Sequence, residues 1–200
     1  MGNNFSYLDG KSEFQEFARA CIEAEDSLKT SPTACIRNCR AALEKIMKWL
    51  YARDGKFSID EELNNSTTQD GKSFGELYKM MSSAAFANEV GRDLNKKIHR
   101  IRMLGNDAMH GRDDGRELTR DEATQCLRNL FDFVQWIDRQ YGKKFEPRRF
   151  DRDNLPASKK GSALGNLAII LILAAALAIA AMSILGIEIP WSKIFSLTSK

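Results

Sequence analysis

Arg92 to His110 reads RDLNKKIHRIRMLGNDAMH. Leu94, Ile98, Ile101, Gly105 and Ala108 recur at three- and four-residue intervals, the signature of one buried face of an α-helix. Gly105 lowers helix stability by about 1 kcal/mol relative to alanine. A helix tolerates that best where another helix must approach closely. At 100° per residue, His99, Arg102, Asn106 and His110 line up on the opposite face. The chain has two histidines, and both lie on this stripe with an arginine. Three readings stay open. A histidine near neutral pKa beside a guanidinium can do acid–base work on a phosphodiester. Asn106 and His110, one turn apart, can instead hydrogen-bond and tie the following loop to the helix. Or the stripe is an ordinary solvated face.

Outward from this helix the pattern stays helical. Downstream, Thr119 and Glu122 form a capping box before Ala123, Cys126, Leu127, Leu130, Val134, Ile137 and Tyr141, with Gly142 placed to end the run. Upstream, the helix is expected to begin near Asn88. Ser73 and Glu76 predict another cap, before Leu77, Met80 and Met81. Asp60 to Gly71 reads as a polar loop with one helical turn at Glu61 to Leu63. Ser31 followed by Pro32 is an N-cap with proline at the first helical position. That helix runs through Cys35, Cys39, Leu43, Ile46 and Leu50 and stops near Gly55. Ser12 with Gln15 predicts a capping box for the first helix, with Phe14, Phe17, Cys21, Ala24 and Leu28 on its apolar face. No alternating β pattern and no internal repeat interrupts this, so the fold class is all-α. Cys21, Cys35, Cys39 and Cys126 all fall in helical segments, without metal-ligand spacing, and read as buried free thiols.

The C-terminal region has a different character. Ala163 to Ile187, ALGNLAIILILAAALAIAAMSILGI, holds 25 residues without a charge. As a helix it would span roughly 37 Å, against about 30 Å for a bilayer core. The sequence therefore predicts a transmembrane helix at 163–187. Lys143, Lys144, Arg148, Arg149, Arg152, Lys159 and Lys160 precede it, and Lys193 and Lys200 follow it, with Trp191 at the far interface. The positive-inside rule then places the N-terminal domain in the cytoplasm. Met1 to Gly10 has no apolar core of a signal peptide. Residues 1–142 carry a net charge of −2 and residues 143–160 a net +4, so the basic charge is membrane-proximal and suits anionic headgroups. The expected organisation is a helical domain over 1–142, a basic extended linker over 143–162, the span over 163–187 and a short extracytoplasmic tail over 188–200. Small residues along the span, Ala174 and Ala178, Ala176 and Ala180, and Ser183 near Gly186, favour helix–helix association in lipid.

The segments SPTACIRNCRAALEKIMKWLY, IHRIRMLGNDAMHG and LTRDEATQCLRNLFDFVQWI resemble a helical domain found in R subunits of type I restriction enzymes and in other bacterial defence proteins. That domain is similar to the HEPN superfamily of small helical bundles. The resemblance covers about Phe14 to Tyr141, and its most specific parts are Arg40, Leu43 and Glu44 together with Gly105, Asn106 and His110. Many HEPN proteins are ribonucleases whose site is an arginine, a polar residue, three variable residues and a histidine, completed in a dimer. The resemblance puts Asn106 at the polar position and His110 at the histidine, but the arginine position holds Gly105. Arg102, one turn earlier, is the substitute in reach. This departure argues against an efficient enzyme; if the bundle does cut RNA, it is a metal-independent ribonuclease using Arg102, Asn106 and His110, with His99 and Gly105 in the same motif.

A HEPN-like bundle joined to a membrane segment also resembles the accessory proteins of type VI-B CRISPR systems, which act at the membrane in phage defence. The leading expectation is thus an antiviral effector that is single-pass in the inner membrane and acts by oligomerising at, and perturbing, the bilayer. The alternatives are a tethered ribonuclease and a non-catalytic tether for a soluble partner. Expected partners are the bilayer, further copies of the chain, and RNA or an RNA-guided protein; no cofactor is expected. No phosphate loop, zinc-spaced set or nucleophile elbow appears. In the turn HGRDDGRE, Asp113 and Asp114 read as solvated charges, and Arg112 and Arg116 as residues with the charge to touch RNA or a partner.

Overall fold

The structure, a computed structural model, describes residues 3–68, 73–112 and 114–157. Among them there is no strand, only an isolated bridge between Thr67 and Ser73, and the fold is all-α. Seven helices follow one another: α1 Gln15–Asp26, α2 Pro32–Arg53, α3 Glu61–Asn65, α4 Glu76–Ser82, α5 Ala84–Val90, α6 Arg92–His110 and α7 Arg120–Tyr141. The transmembrane helix expected at 163–187 lies outside the described residues. Among those described, no helix is long and apolar enough to cross a membrane.

The long helices α1, α2, α6 and α7 form the bundle, and α2 packs against the other three. Its start is fixed locally: the Ser31 hydroxyl accepts from the Ala34 amide at 3.0 Å, and Pro32 occupies the first turn, where its missing N–H is not needed. Cys35, Cys39, Leu43, Ile46 and Leu50 are all fully buried along it. The four cysteines are buried and free. Helix α7 opens on the expected capping box: Glu122 N–H donates to the Thr119 hydroxyl at 3.2 Å, and Thr119 N–H donates to the Glu122 carboxylate at 2.9 Å. Its apolar stripe from Ala123 to Ile137 is buried.

Two expected caps do not form. Ser12 lies in a 3-10 turn, Ser12–Phe14, ahead of α1, and no side chain caps either element. Phe14 is completely buried, and the turn that delivers its ring to the core leaves Ser12 too early to reach the α1 amides. Ser73 likewise caps nothing. Gly75, extended, precedes α4, and the Ser73 hydroxyl instead takes a hydrogen bond from the buried Lys79 ammonium at 3.0 Å. The helix expected from Asn88 to Met109 is two helices. At Gly91 the backbone turns to φ +81°, a region that L side chains avoid, and α5 ends there while α6 begins.

Residues 143–157 carry no helix, as expected, but they are not a detached linker. They belong to the same compact unit as the bundle. Arg148 N–H donates to the Gln135 side chain at 2.9 Å, and Arg120 donates to the Pro156 carbonyl at 2.5 Å. Asn4 both receives the Asp151 N–H at 2.7 Å and donates to the Asp151 carbonyl at 3.0 Å. The Phe150 ring meets Phe131 edge-on with centroids 5.7 Å apart. Gly142 thus marks the end of the last helix, not the end of packed chain.

Candidate functional site

Helix α6 presents Ile98, Ile101, Leu104, Gly105 and Ala108 to the core, all buried. Leu94 packs at its edge. The glycine has a specific occupant above it. A Cβ at position 105 would fall 2.5 Å from Arg40 Cβ and 2.8 Å from Arg40 Cγ. The close approach anticipated for Gly105 is therefore the passage of the Arg40 side chain from α2 across α6. Beyond the crossing, the Arg40 guanidinium lies 3.6 Å from the Met109 sulfur and 3.7 Å from the Glu44 carboxylate. Arg37, one turn earlier, reaches the Ala108 carbonyl at 3.5 Å, near the carbonyl-rich end of α6 where a cation is favoured.

Arg102 sits 5.1 Å above the centre of the Tyr78 ring. Tyr78 stacks on Phe74 at 4.6 Å and meets the His99 ring edge-on at 6.0 Å. Among the described residues Arg102 has no carboxylate partner. Its Nε is buried without an acceptor, and so is the Nε of Arg40. Burial first, and then the neighbouring charge of Arg40, weaken the hold of Arg102 on its proton, against the pull of Tyr78. His99 is half-buried. Burial, then the charge of Arg102, lower its pKa from the ordinary 6.5, while a hydrogen bond to the Met81 backbone opposes them. Both effects favour the neutral imidazole, the form that accepts a proton.

The stripe does not lie opposite the core. At 100° per residue, Arg102, Asn106, His99 and His110 fall roughly 60–140° from Gly105, on the flank of the helix. His99 and Arg102 are tucked against α4, Asn106 is partly buried, and His110 is exposed at the last residue of α6. Among the described residues no hydrogen bond joins Asn106 to His110, and the loop after α6 is held by another residue. Arg112 is mostly buried and is paired with Glu122, and with Asp107 at 3.5 Å. Glu122 thus serves both the α7 cap and this arginine. The charge of Arg112 is matched by these two carboxylates. Arg116 stays exposed, bound to Asp114 at 2.7 Å.

The structure therefore brings Arg102 and His99 together around Tyr78 and adds Arg40, which spacing along α6 could not reveal. In the sequence Arg40 stands out only through the resemblance, beside Leu43 and Glu44, and nothing there ties it to Gly105. Among the described residues no group of three or more His, Cys, Asp or Glu side chains is arranged to hold a metal.

Residues 22–144 match a family described as "Domain of unknown function (DUF4145)". The chain belongs to the DUF4145 family. The DUF4145 region begins within α1 and ends just past α7, so it contains both the Arg40 segment and the Gly105–His110 motif. The docked segment after residue 144 and the apolar stretch 163–187 fall beyond the DUF4145 match. No curated protein and no solved structure matches the chain.

Proposed function

We propose that this protein is a membrane-anchored, HEPN-like effector or accessory protein of bacterial antiviral defence, of the CRISPR- or restriction-linked kind. The observation that carries the reading is the conjunction of two features. A compact helical domain bears the Gly105, Asn106 and His110 motif, and 25 uncharged residues follow it at 163–187. Such a run is long enough to span a bilayer as a helix, and the basic residues before it favour a cytoplasmic domain. In this reading copies associate at the inner membrane through the small residues of the span and disturb the bilayer.

Fractionation of cells making the full chain tests the anchor. The protein should stay with membranes after an alkaline wash, and protease added to intact spheroplasts should reach the tail near Lys200 but spare residues 1–142. Full-length protein in the soluble fraction would overturn the reading. Replacing Ala176 and Ala180 by leucine should weaken association in mild detergent, and a strictly monomeric chain that still protects cells would leave only a tether.

One observation favours ribonuclease activity as a second reading: Arg40 crosses at Gly105, the position the HEPN pattern reserves for arginine, and stands close to Arg102. Purified chain should then cleave single-stranded RNA in the presence of a metal chelator, and Arg102→Ala should abolish cleavage while leaving the fold intact. Absence of cleavage by the unaltered chain ends this reading without touching the first.

A further inference from the structure

The corner between α5 and α6 opens into a cavity of about 660 Å³, within the 300–1,000 Å³ typical of small-molecule sites. Successive turns of α6 supply its floor: Arg92, Lys96, His99 and Met103, spaced four, three and four residues apart, share one face. Arg100 stands at its side. No aspartate or glutamate lines it. Asp93, in the same first turn, lines the neighbouring depression instead.

The charges here are unspent. Among the described residues, Arg92, Lys96 and Arg100 have no carboxylate partner. Lys97, which lies outside the cavity, is paired with Asp132 at 2.6 Å. Helix α6 starts at Gly91 with no side chain accepting from its first amides, so the end nearest Arg92 adds unmatched N–H donors to unmatched cations. At the other end Met103 leaves half of its surface exposed. Between the two, Asn95 lines the cavity with its side-chain oxygen buried and lacking a donor.

We propose that this cavity binds a small phosphorylated ligand of the nucleoside mono- or diphosphate class, its phosphate held by Arg92 and Lys96 and its base resting on Met103. A terminal phosphate is multiply charged and matches cations gathered within residues 92–100. A polymer backbone would want them continued along the groove, but past Met103 this flank of α6 carries uncharged Asn106 and exposed His110. Lys96 and Met103 stand about 10 Å apart along the helix axis, a separation that suits a phosphate at one end and a ring at the other. This assignment does not depend on the membrane reading or on cleavage of RNA.

Calorimetry on the full-length chain, solubilised in mild detergent, tests it with ADP, inorganic phosphate and a short single-stranded RNA lacking terminal phosphates. ADP should bind saturably and more tightly than inorganic phosphate, and the RNA weakly. Arg92→Ala with Lys96→Ala should weaken ADP roughly tenfold or more, the size of a lost charge-assisted contact. Both residues are exposed, and the thermal midpoint should not move. Met103→Ser should weaken ADP but leave inorganic phosphate unchanged, and Lys97→Ala should change neither. The proposal is overturned by no saturable binding of ADP, by equal binding of ADP and inorganic phosphate, by RNA binding as tight as ADP, or by a double variant that binds ADP normally.

Discussion

Arg40 and Gly105 show how one residue can be chosen by another far away in the chain. A glycine inside a nineteen-residue helix is locally unfavourable, yet any Cβ there collides with the first carbons of Arg40. Those atoms are close to the α2 backbone, so rotating the arginine cannot relieve the clash. Gly105→Ala should therefore destabilise the domain by about 1–3 kcal/mol, as overpacking does, despite the gain in helix propensity, and urea unfolding measures it. Glu25 makes a second residue-level case. It is fully buried, one oxygen accepts from the Asn4 backbone and side chain, and the other has no partner. Burial raises its pKa above the ordinary 4.5, more than the Asn4 bonds lower it. The folded state then holds this proton more tightly than the unfolded chain does. Stability should fall as pH rises from about 4.5 through the raised folded value. Unfolding midpoints across that window should show the slope in the unaltered protein, and a reduced slope in Glu25→Gln.

At the scale of elements, the corner between α5 and α6 decides the geometry of the candidate cavity. Helical periodicity runs through it without a break, because Asn88, Glu89 and Arg92 are all acceptable in a helix. Gly91 alone turns the chain, at φ +81°. With ψ at +156°, an alanine forced into that region costs about 1–3 kcal/mol. Gly91→Ala should therefore lower the thermal midpoint by several degrees, and Asn at the same position should recover little of the loss, because ψ +156° lies outside the left-handed helical region that asparagine tolerates. The junction between α6 and α7 is held differently. There Glu122 closes the α7 cap and also binds Arg112, so the start of α7 and the loop after α6 share one carboxylate.

For the whole molecule, the packed chain reaches past the last helix. The N-terminal turns bury Phe5, Leu8 and Phe14. Lys11, between them, pairs with the buried Asp138 at 2.5 Å and also donates to the Lys144 carbonyl at 2.7 Å. N-terminus, α7 and the segment after it are thus one assembly, and Asn4 closes it from Glu25 to Asp151. A chain ended after Ala157 should melt higher, and with a sharper transition, than one ended after Gly142, which loses the Phe150, Arg148 and Asp151 contacts. Equal melting of the two by circular dichroism would show these contacts to be energetically silent.

What the sequence determined by itself is what depends on neighbours three or four residues apart. The Ser31–Pro32 start of α2, the Thr119–Glu122 box and the apolar stripes of α1, α2, α6 and α7 are such features, and together they establish the all-α class. The segment 163–187, too, speaks through composition alone. The tertiary structure decided what needs two distant pieces of chain. Ser12 and Ser73 carry cap-like spacing, but the burial of Phe14 and the reach of Lys79 redirect them. Arg40 lies on Gly105, Arg102 lies on Tyr78, and Arg112 is held by Asp107 and Glu122, because packing side chains at crystal-like density leaves each one a single available volume. Periodicity assigns a residue to a face; only the neighbouring helix decides which partner waits there.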